Sequence, residues 1–380
     1  MDENRRDLVT SLATAALLGP AALRGDEKMQ PDPPAASERP TIGTIRWDAF
    51  YGTGGVAKAV ERSLSPAKYH HRAPFFAKIE GKDKLSINGD APEIMAREID
   101  YAAQAGVYWA FLNYPWQGDM SKPLRMFLTH PDRERVKFTL MLSNHSLFRE
   151  WDTFFRNALS DACVMPNFQT VLNGWPLIYT FLPGLGKSPG GKPKLQARVA
   201  EIRELVEHRT GKNPYLVHFM HGLPQSEWPT VKQLGFDAST KYAQFAGPRM
   251  SYAAYRRKIA ADWRSWARQG YQHIPLLSSG WDNRPRYHNP VPWVKKAEHM
   301  LRNYTEEPTP EQLAAHCKVG LDFVYRNKAV CEAQSLMMYA WNEHDEGGWL
   351  CPTLNPETGK PDDSRVRAIG KMMQSWRPPE

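Results

Sequence analysis

The sequence predicts an α/β fold, a single (β/α)8 barrel, and three observations carry that expectation. From Thr41 onward, short apolar or aromatic runs alternate with longer stretches of 3.6-residue periodicity. The short runs number eight, enough to close a parallel sheet wrapped by helices. The chain has 380 residues, a length that one such barrel commonly reaches. A doubly wound open sheet would usually carry a Gly-rich phosphate turn after its first strand. Gly52-Thr53-Gly54-Gly55 lies in that place but lacks GxGxxG spacing, and reads as a plain turn.

In chain order, strand one is expected at Gly43 to Phe50. Strand two, Val107 to Asn113, follows the helical pattern Glu93 to Gln104. Strand three is Val136 to Ser143. The aromatic helix Leu147 to Leu159 precedes strand four, Pro176 to Phe181. The charged amphipathic helix Lys194 to His208 precedes strand five, Tyr215 to Met220. Strand six is Gly235 to Tyr242. The helix Tyr252 to Gln269 precedes strand seven, His273 to Ser279. The helix Pro310 to Arg326 precedes strand eight, Leu336 to Trp341, and a last helix, about Ser364 to Trp376, closes the ring.

Residues 1–40 read as an address and a linker rather than as part of the barrel, which occupies 41–380. Arg5-Arg6-Asp7-Leu8-Val9 opens a small-residue apolar stretch to Leu23, resembling a twin-arginine export signal. Asp26 to Pro40 is polar and Pro-rich, as a linker would be. An exported protein, periplasmic or extracellular, is the expectation. The apolar stretch is too short and mild for a stable membrane span.

Composition narrows the function. Hydrophobic residues make up 42% of the chain, enough for a large core. The formal charge of +8 is spread along the chain, with no basic stripe or motif of a nucleic-acid binder. It would favour an anionic polysaccharide by long-range attraction. Cys163, Cys317, Cys331 and Cys351 lack CxxC spacing and read as buried free thiols in preference to a disulfide among the last three. No G-x-S-x-G, Walker loop or HExxH occurs. No metal or other cofactor is expected.

In a barrel the strand C-termini face the active site. Polar and aromatic residues recur there: Trp47, Asp48 and Tyr51 after strand one, Asn113 to Trp116 after strand two, Asp237 and Lys241 on strand six, and Gly280-Trp281-Asp282-Asn283 after strand seven. Aromatic faces that stack on sugar C–H surfaces, with carboxylates and amides for hydroxyls, are what a carbohydrate site needs. Asp48, Tyr51, Trp116, His218, Asp237, Lys241, Trp281, Asp282, Asn342 and Trp349 are the candidate substrate contacts. For Asp48, Asp237 and Asp282, ion pairs with Lys241 or Arg284 are the alternative. His218 and His221 form an H-x-x-H, but strand spacing points them to opposite faces, which suits a hydrogen bond to substrate better than a metal.

Glycoside hydrolysis generally needs one protonated and one ionised carboxyl. Glu343 and Glu346 lie three residues apart just past strand eight, where a tight turn can aim both into one cleft, and Gly347-Gly348 lets the backbone turn. Most E-x-x-E pairs are solvated helix faces. This one follows an apolar strand and is flanked by Trp341, Asn342 and Trp349.

The run Ala340-Trp341-Asn342-Glu343-His344-Asp345-Glu346-Gly347 resembles the last-strand phrase N-E-W-x-E-G of the endo-α-mannosidase family, glycoside hydrolase family 99, and its WbsX-like relatives. The Gly280-Trp281-Asp282-Asn283 phrase resembles the GWDN segment of the WbsX-like group, and Trp47 to Gly52 is compatible. The resemblance implies a retaining (β/α)8 hydrolase without a metal. It implies Glu346 as general acid/base and Glu343 as the base that deprotonates the neighbouring sugar 2-hydroxyl, so that this oxygen attacks the anomeric carbon. His344 stands where Trp is usual, and Asp345 is an additional acid that could raise the pKa of Glu346 or compete with it. Two other functions stay open: a WbsX-like glycosyltransferase or polysaccharide-assembly enzyme, and a non-catalytic carbohydrate-binding barrel.

Overall fold

The computed structural model describes residues 39–380 except 183, 186–187 and 221–223. The export-like segment up to residue 38 and His221 lie outside the described residues. Eight parallel strands form the sheet: β1 Thr41–Arg46, β2 Tyr108–Leu112, β3 Phe138–Ser143, β4 Trp175–Phe181, β5 Tyr215–Met220, β6 Ala238–Lys241, β7 Leu276–Ser278 and β8 Ser335–Tyr339. Their order is β7-β8-β1-β2-β3-β4-β5-β6. The ring closes where β6 meets the lead-in to β7, through a parallel bridge between Ser239 and His273. The fold is a (β/α)8 barrel. No helix among the described residues is long and apolar enough to cross a membrane.

The helices are α1 Gly55–Leu64, α2 Pro92–Ala105, α3 Lys122–Thr129, α4 Asn144–Phe148, α5 Arg156–Ala162, α6 Gly191–Thr210, α7 Pro224–Gln233, α8 Tyr252–Arg268, α9 Arg284–His288, α10 His299–Arg302, α11 Pro310–Arg326 and α12 Ser364–Ser375. Local chemistry sets their ends. Pro92 opens α2 and left-handed Gly106 closes it. Thr309 and Gln312 form a capping box that starts α11.

The largest departure from expectation is the helix Leu147 to Leu159. It is three pieces, α4, a π turn at Trp151–Phe155, and α5. The π turn brings both Trp151 and Phe155 into the core, where Trp151 Nε1 donates to Glu201 at 2.8 Å. Strand six is shorter than expected because left-handed Gly235 still belongs to the turn after α7. Strand one ends at Arg46, before the turn at Trp47–Phe50.

The bottom of the barrel is filled by hydroxyls in part. Tyr108 Oη meets Tyr179 Oη at 2.8 Å and Ser335 Oγ at 2.9 Å. Buried hydroxyls that satisfy one another avoid the cost of unpaired polar groups. All four cysteines are buried and free.

Candidate active site

The turn after β8 carries the candidate acids. Asn342–Glu343 pairs antiparallel with Gly348–Trp349, and His344–Glu346 forms a single 3-10 turn between them. Gly347 closes that turn at φ +80, and a Cβ there would sit 2.6 Å from Asp282 N. Gly280, after β7, packs backbone to backbone against the Gly347 carbonyl, and Asp282 N donates to Glu346 O at 2.6 Å. The two glycine-bearing turns therefore hold each other, and this fixes where Glu343 and Glu346 point.

Both carboxylates reach the same phenol. Tyr339 Oη, at the end of β8, is 2.5 Å from Glu346 Oε2 and 3.5 Å from Glu343 Oε2. Tyr242, just past β6, donates to Glu343 Oε1, and Arg286 on α9 forms an ion pair with Glu346. Arg286 also takes Asp345 in a two-point grip, at 2.7 and 3.0 Å, while Ser63 donates to Asp345 at 3.1 Å. One guanidinium thus faces three carboxyls in a dry space. Burial pushes the Glu343 carboxyl up to about 7 from its ordinary 4.5, against the opposing pull of Arg286 and Tyr242. Burial, reinforced by the Glu343 charge, also holds Tyr242 and Tyr339 well above the ordinary phenol range, so both stay donors. Glu346 retains 9% exposure, the most of the three carboxyls.

The walls are aromatic. Arg286 lies over Trp47 at 5.1 Å and Trp293 at 5.8 Å, and those two rings meet edge to face. Trp47 Nε1 donates to Tyr114 Oη at 2.8 Å. On the other side, Trp281 meets the Tyr339 ring at 5.6 Å.

The additional acid and the exceptional histidine have structural places. Asp345 is fully buried and positions Arg286 and Ser63. His344 points to the back of the turn, stacked on Trp349 at 5.9 Å and edge-on to Phe50, and burial lowers it to about 3, so it is neutral.

The structure brings Glu343, Glu346 and Asn342 into one turn, and Trp281 beside it. The other expected contacts sit elsewhere. Asp48 and Tyr51 are sealed between the barrel and α2: Arg46 bonds Asp48 at 2.8 Å and Glu98 at 2.9 Å, and Tyr51 donates to Glu98. Asn342 reaches back to this cluster, donating to Asp48 at 2.9 Å and accepting from Trp47 N at 2.8 Å, so it anchors the turn from behind.

Asp237 lies at the N-terminal end of β6, paired with Arg203 at 2.7 Å and accepting from Leu216 N. Lys241 faces the helix layer, 2.5 Å from Asp262 on α8. His218 also faces outward, its ring against Phe236, because its strand neighbour Phe219 packs inward on Tyr179 and Tyr242. Asp282 is buried between Arg72, at 2.7 Å, and Arg284. Burial alone would raise its carboxyl, but the Arg284 hydrogen bonds and both cations outweigh that and hold it low. Trp349 is buried behind the turn, with the Arg365 guanidinium 4.0 Å above its ring. Trp116 is half-buried on the loop after β2, edge-on to Phe155.

Arg286, Tyr242, Tyr339 and Trp293 were not among the expected contacts. Tyr339 could have been found by parity, since Ser335, Met337 and Tyr339 share one face of an eight-strand barrel's last strand. Arg286 stands three residues past Asn283 and carried no signal of its own.

No protein-family model matches the chain, and no curated protein matches it. Among solved structures, a glycoside hydrolase family 99 endo-α-mannosidase from Bacteroides thetaiotaomicron, in complex with bis-tris-propane, superposes with a TM-score of 0.50 at 13% identity, covering 88% of this chain and 96% of that one. A second structure of that enzyme gives 0.48 over the same shares, also at 13% identity. An endo-β-1,4-mannanase from Thermotoga petrophila gives 0.34 at 13% identity, covering 89% of this chain and 77% of that one. At such identities the likeness bears on architecture, and this chain has the (β/α)8 fold found in a glycoside hydrolase.

Proposed function

We propose that the protein is a glycoside hydrolase that cleaves a polysaccharide or complex glycan with retention of configuration. The observation that carries this is the convergence of Glu343 and Glu346 on Tyr339 Oη at the C-terminal face of the barrel. Distances of 3.5 and 2.5 Å to one hydroxyl put those carboxylate oxygens within about 6 Å of each other. Retaining enzymes with a carboxylate nucleophile hold their carboxyls about 5 to 5.5 Å apart and inverting ones about 6.5 to 9.5 Å, so the close approach accords with retention, although the route below uses the sugar 2-hydroxyl as nucleophile. Convergence of the acids also favours catalysis over a binding-only barrel. The N-terminal Arg5-Arg6 phrase supports export as the protein's route, and favours a hydrolase over a cytoplasmic transferase.

In the reading implied by family resemblance, Glu343 removes the proton of the sugar 2-hydroxyl, and Glu346 protonates the leaving oxygen. A carboxyl poised near 7 suits a base working near neutrality. The Arg286–Glu346 ion pair favours a second reading with the roles exchanged, since a guanidinium stabilises the ionised partner and Glu343 is the carboxyl that keeps a proton. A polysaccharide digestion screen with product anomer analysis tests the reaction. Full activity in both Glu343→Gln and Glu346→Gln on the cleaved glycan would overturn the assignment. Glycosyl fluorides, which need no proton on departure, separate the roles: the variant lacking the acid keeps activity on them, and the variant lacking the base does not.

A further inference from the structure

Beside the acids lies an open cavity of about 340 Å³, within the range of small-molecule sites. Trp281 forms the wall nearest the reacting centre, in ring contact with Tyr339. Phe245 forms the outer wall, 4.8 Å from Trp281, and remains 66% exposed. Asn283, His299 and Asn303 supply the polar lining, and the remaining two residues, Ala246 and Met300, are apolar. Among the described residues, no carboxylate, lysine or arginine lines it.

Two features mark it as a built site. The Asn283 Oδ1 is buried without a hydrogen-bond partner among the described residues. Asn283 lines the cavity, and a turn of its side chain that brings this oxygen to the cavity would let a ligand donor offset the cost of the orphaned acceptor. The walls are also laced together by backbone hydrogen bonds. Arg249 N donates to Arg302 O at 2.8 Å, Met250 N to Tyr304 O at 2.9 Å, and Thr305 N to Trp281 O at 2.8 Å. Three segments from different parts of the chain thus form one rigid rim, which lowers the ordering cost of binding.

We infer that this cavity is a subsite for one neutral pyranose unit of the glycan, neighbouring the units at the cleaved bond. The inference rests on the hydrolase reading for its place in catalysis but not for binding itself. Phe245 and Trp281 offer rings for the C–H face of a sugar, and the Asn283 amide, turned toward the cavity, accepts one of its hydroxyls. A uronate or sulfated unit would call for an arginine or lysine in the lining. The basic balance of the whole chain therefore does not set the charge of the substrate at this position.

The test uses the full chain with Glu346→Gln to stop turnover. Calorimetry is run with neutral gluco-, manno-, xylo- and galacto-configured tetrasaccharides, and with oligogalacturonate and oligomannuronate as acidic probes. At least one neutral probe is expected to bind, with affinity falling about 5- to 10-fold on adding Phe245→Ala or Asn283→Ala. Binding of acidic probes alone, of no probe, or unchanged by both substitutions overturns the subsite. A neutral probe bound through Phe245 but never cleaved by the unmodified protein sinks the hydrolase reading and leaves the subsite standing. Cleavage of a neutral tetrasaccharide with KM unchanged in both variants does the reverse.

Discussion

Two buried arginines, Arg46 and Arg286, each hold two carboxylates, and they differ in what remains after pairing. Around Arg46 every acid is answered. Asp48 also accepts from Asn342, and Glu98 accepts from Tyr51 and from Trp341 Nε1 at 3.0 Å. The guanidinium further stacks on Trp109 at 4.3 Å. Around Arg286 a third carboxyl, Glu343, has no cation of its own among the described residues, and burial leaves it half-protonated near neutrality. The first cluster is a brace between barrel and α2. The second carries an unsettled proton at the strand ends, which is what acid–base chemistry needs.

Breaking the second cluster should therefore cost activity, and breaking the first should cost stability. The largest effect is expected from Glu343→Gln and Glu346→Gln, each lowering kcat on the cleaved glycan about 100- to 10,000-fold in protein that stays folded under the assay conditions. Arg46→Met, which strands Asp48 and Glu98, should destabilise by about 3–5 kcal/mol in chemical denaturation. Its activity per folded molecule should stay close to that of the unmodified protein. If Arg46→Met abolishes turnover in protein that remains folded, the brace reading is wrong.

A third prediction concerns pH. The Glu343 carboxyl is raised in the folded state, so its contribution to stability is complete below about 4.5 and is lost as pH rises through about 7. The loss amounts to about 3 kcal/mol, because each pH step of one between those two values is worth roughly 1.4 kcal/mol. Glu343→Gln should remove this slope, gaining stability relative to the parent at pH 8 but not at pH 4. Parallel denaturation curves for the two proteins across that window would break the claim. The smallest effects are expected from Asp237→Asn and Lys241→Ala, which lie at the bottom face and in the helix layer. Their kcat/KM should stay within about twofold of the parent, as for changes away from the reacting groups.

The eight strands and most helices were legible because alternation and period are local properties of the chain. The acid pair was legible for the same reason, being carried by one turn. Face and phase were not. Lys241 and Tyr242 are neighbours, yet one faces α8 and the other donates to Glu343. Barrel strands buried on both sides read as continuous apolar runs, so a shift of one residue exchanges inside for outside without altering the pattern. Asp237 reads as a site residue only if strand six begins at Gly235, which moves the strand's true start to its middle. Arg286 and Tyr242 join the acids from other loops, and the ion pair between Arg72 and Asp282 spans 210 positions of the chain.

Gly280 and Gly347 press two backbones together without intervening side chains, and Asp282 bonds directly to the turn that bears Glu346. For protein engineering this makes the loops after strands seven and eight a single transplantable cassette. A chimera that imports only the segment 340–349 into another barrel would bring the acids without the ledge that aims them. One that imports 280–286 with it would carry the acids, their arginine and the wall of the neighbouring cavity as one part.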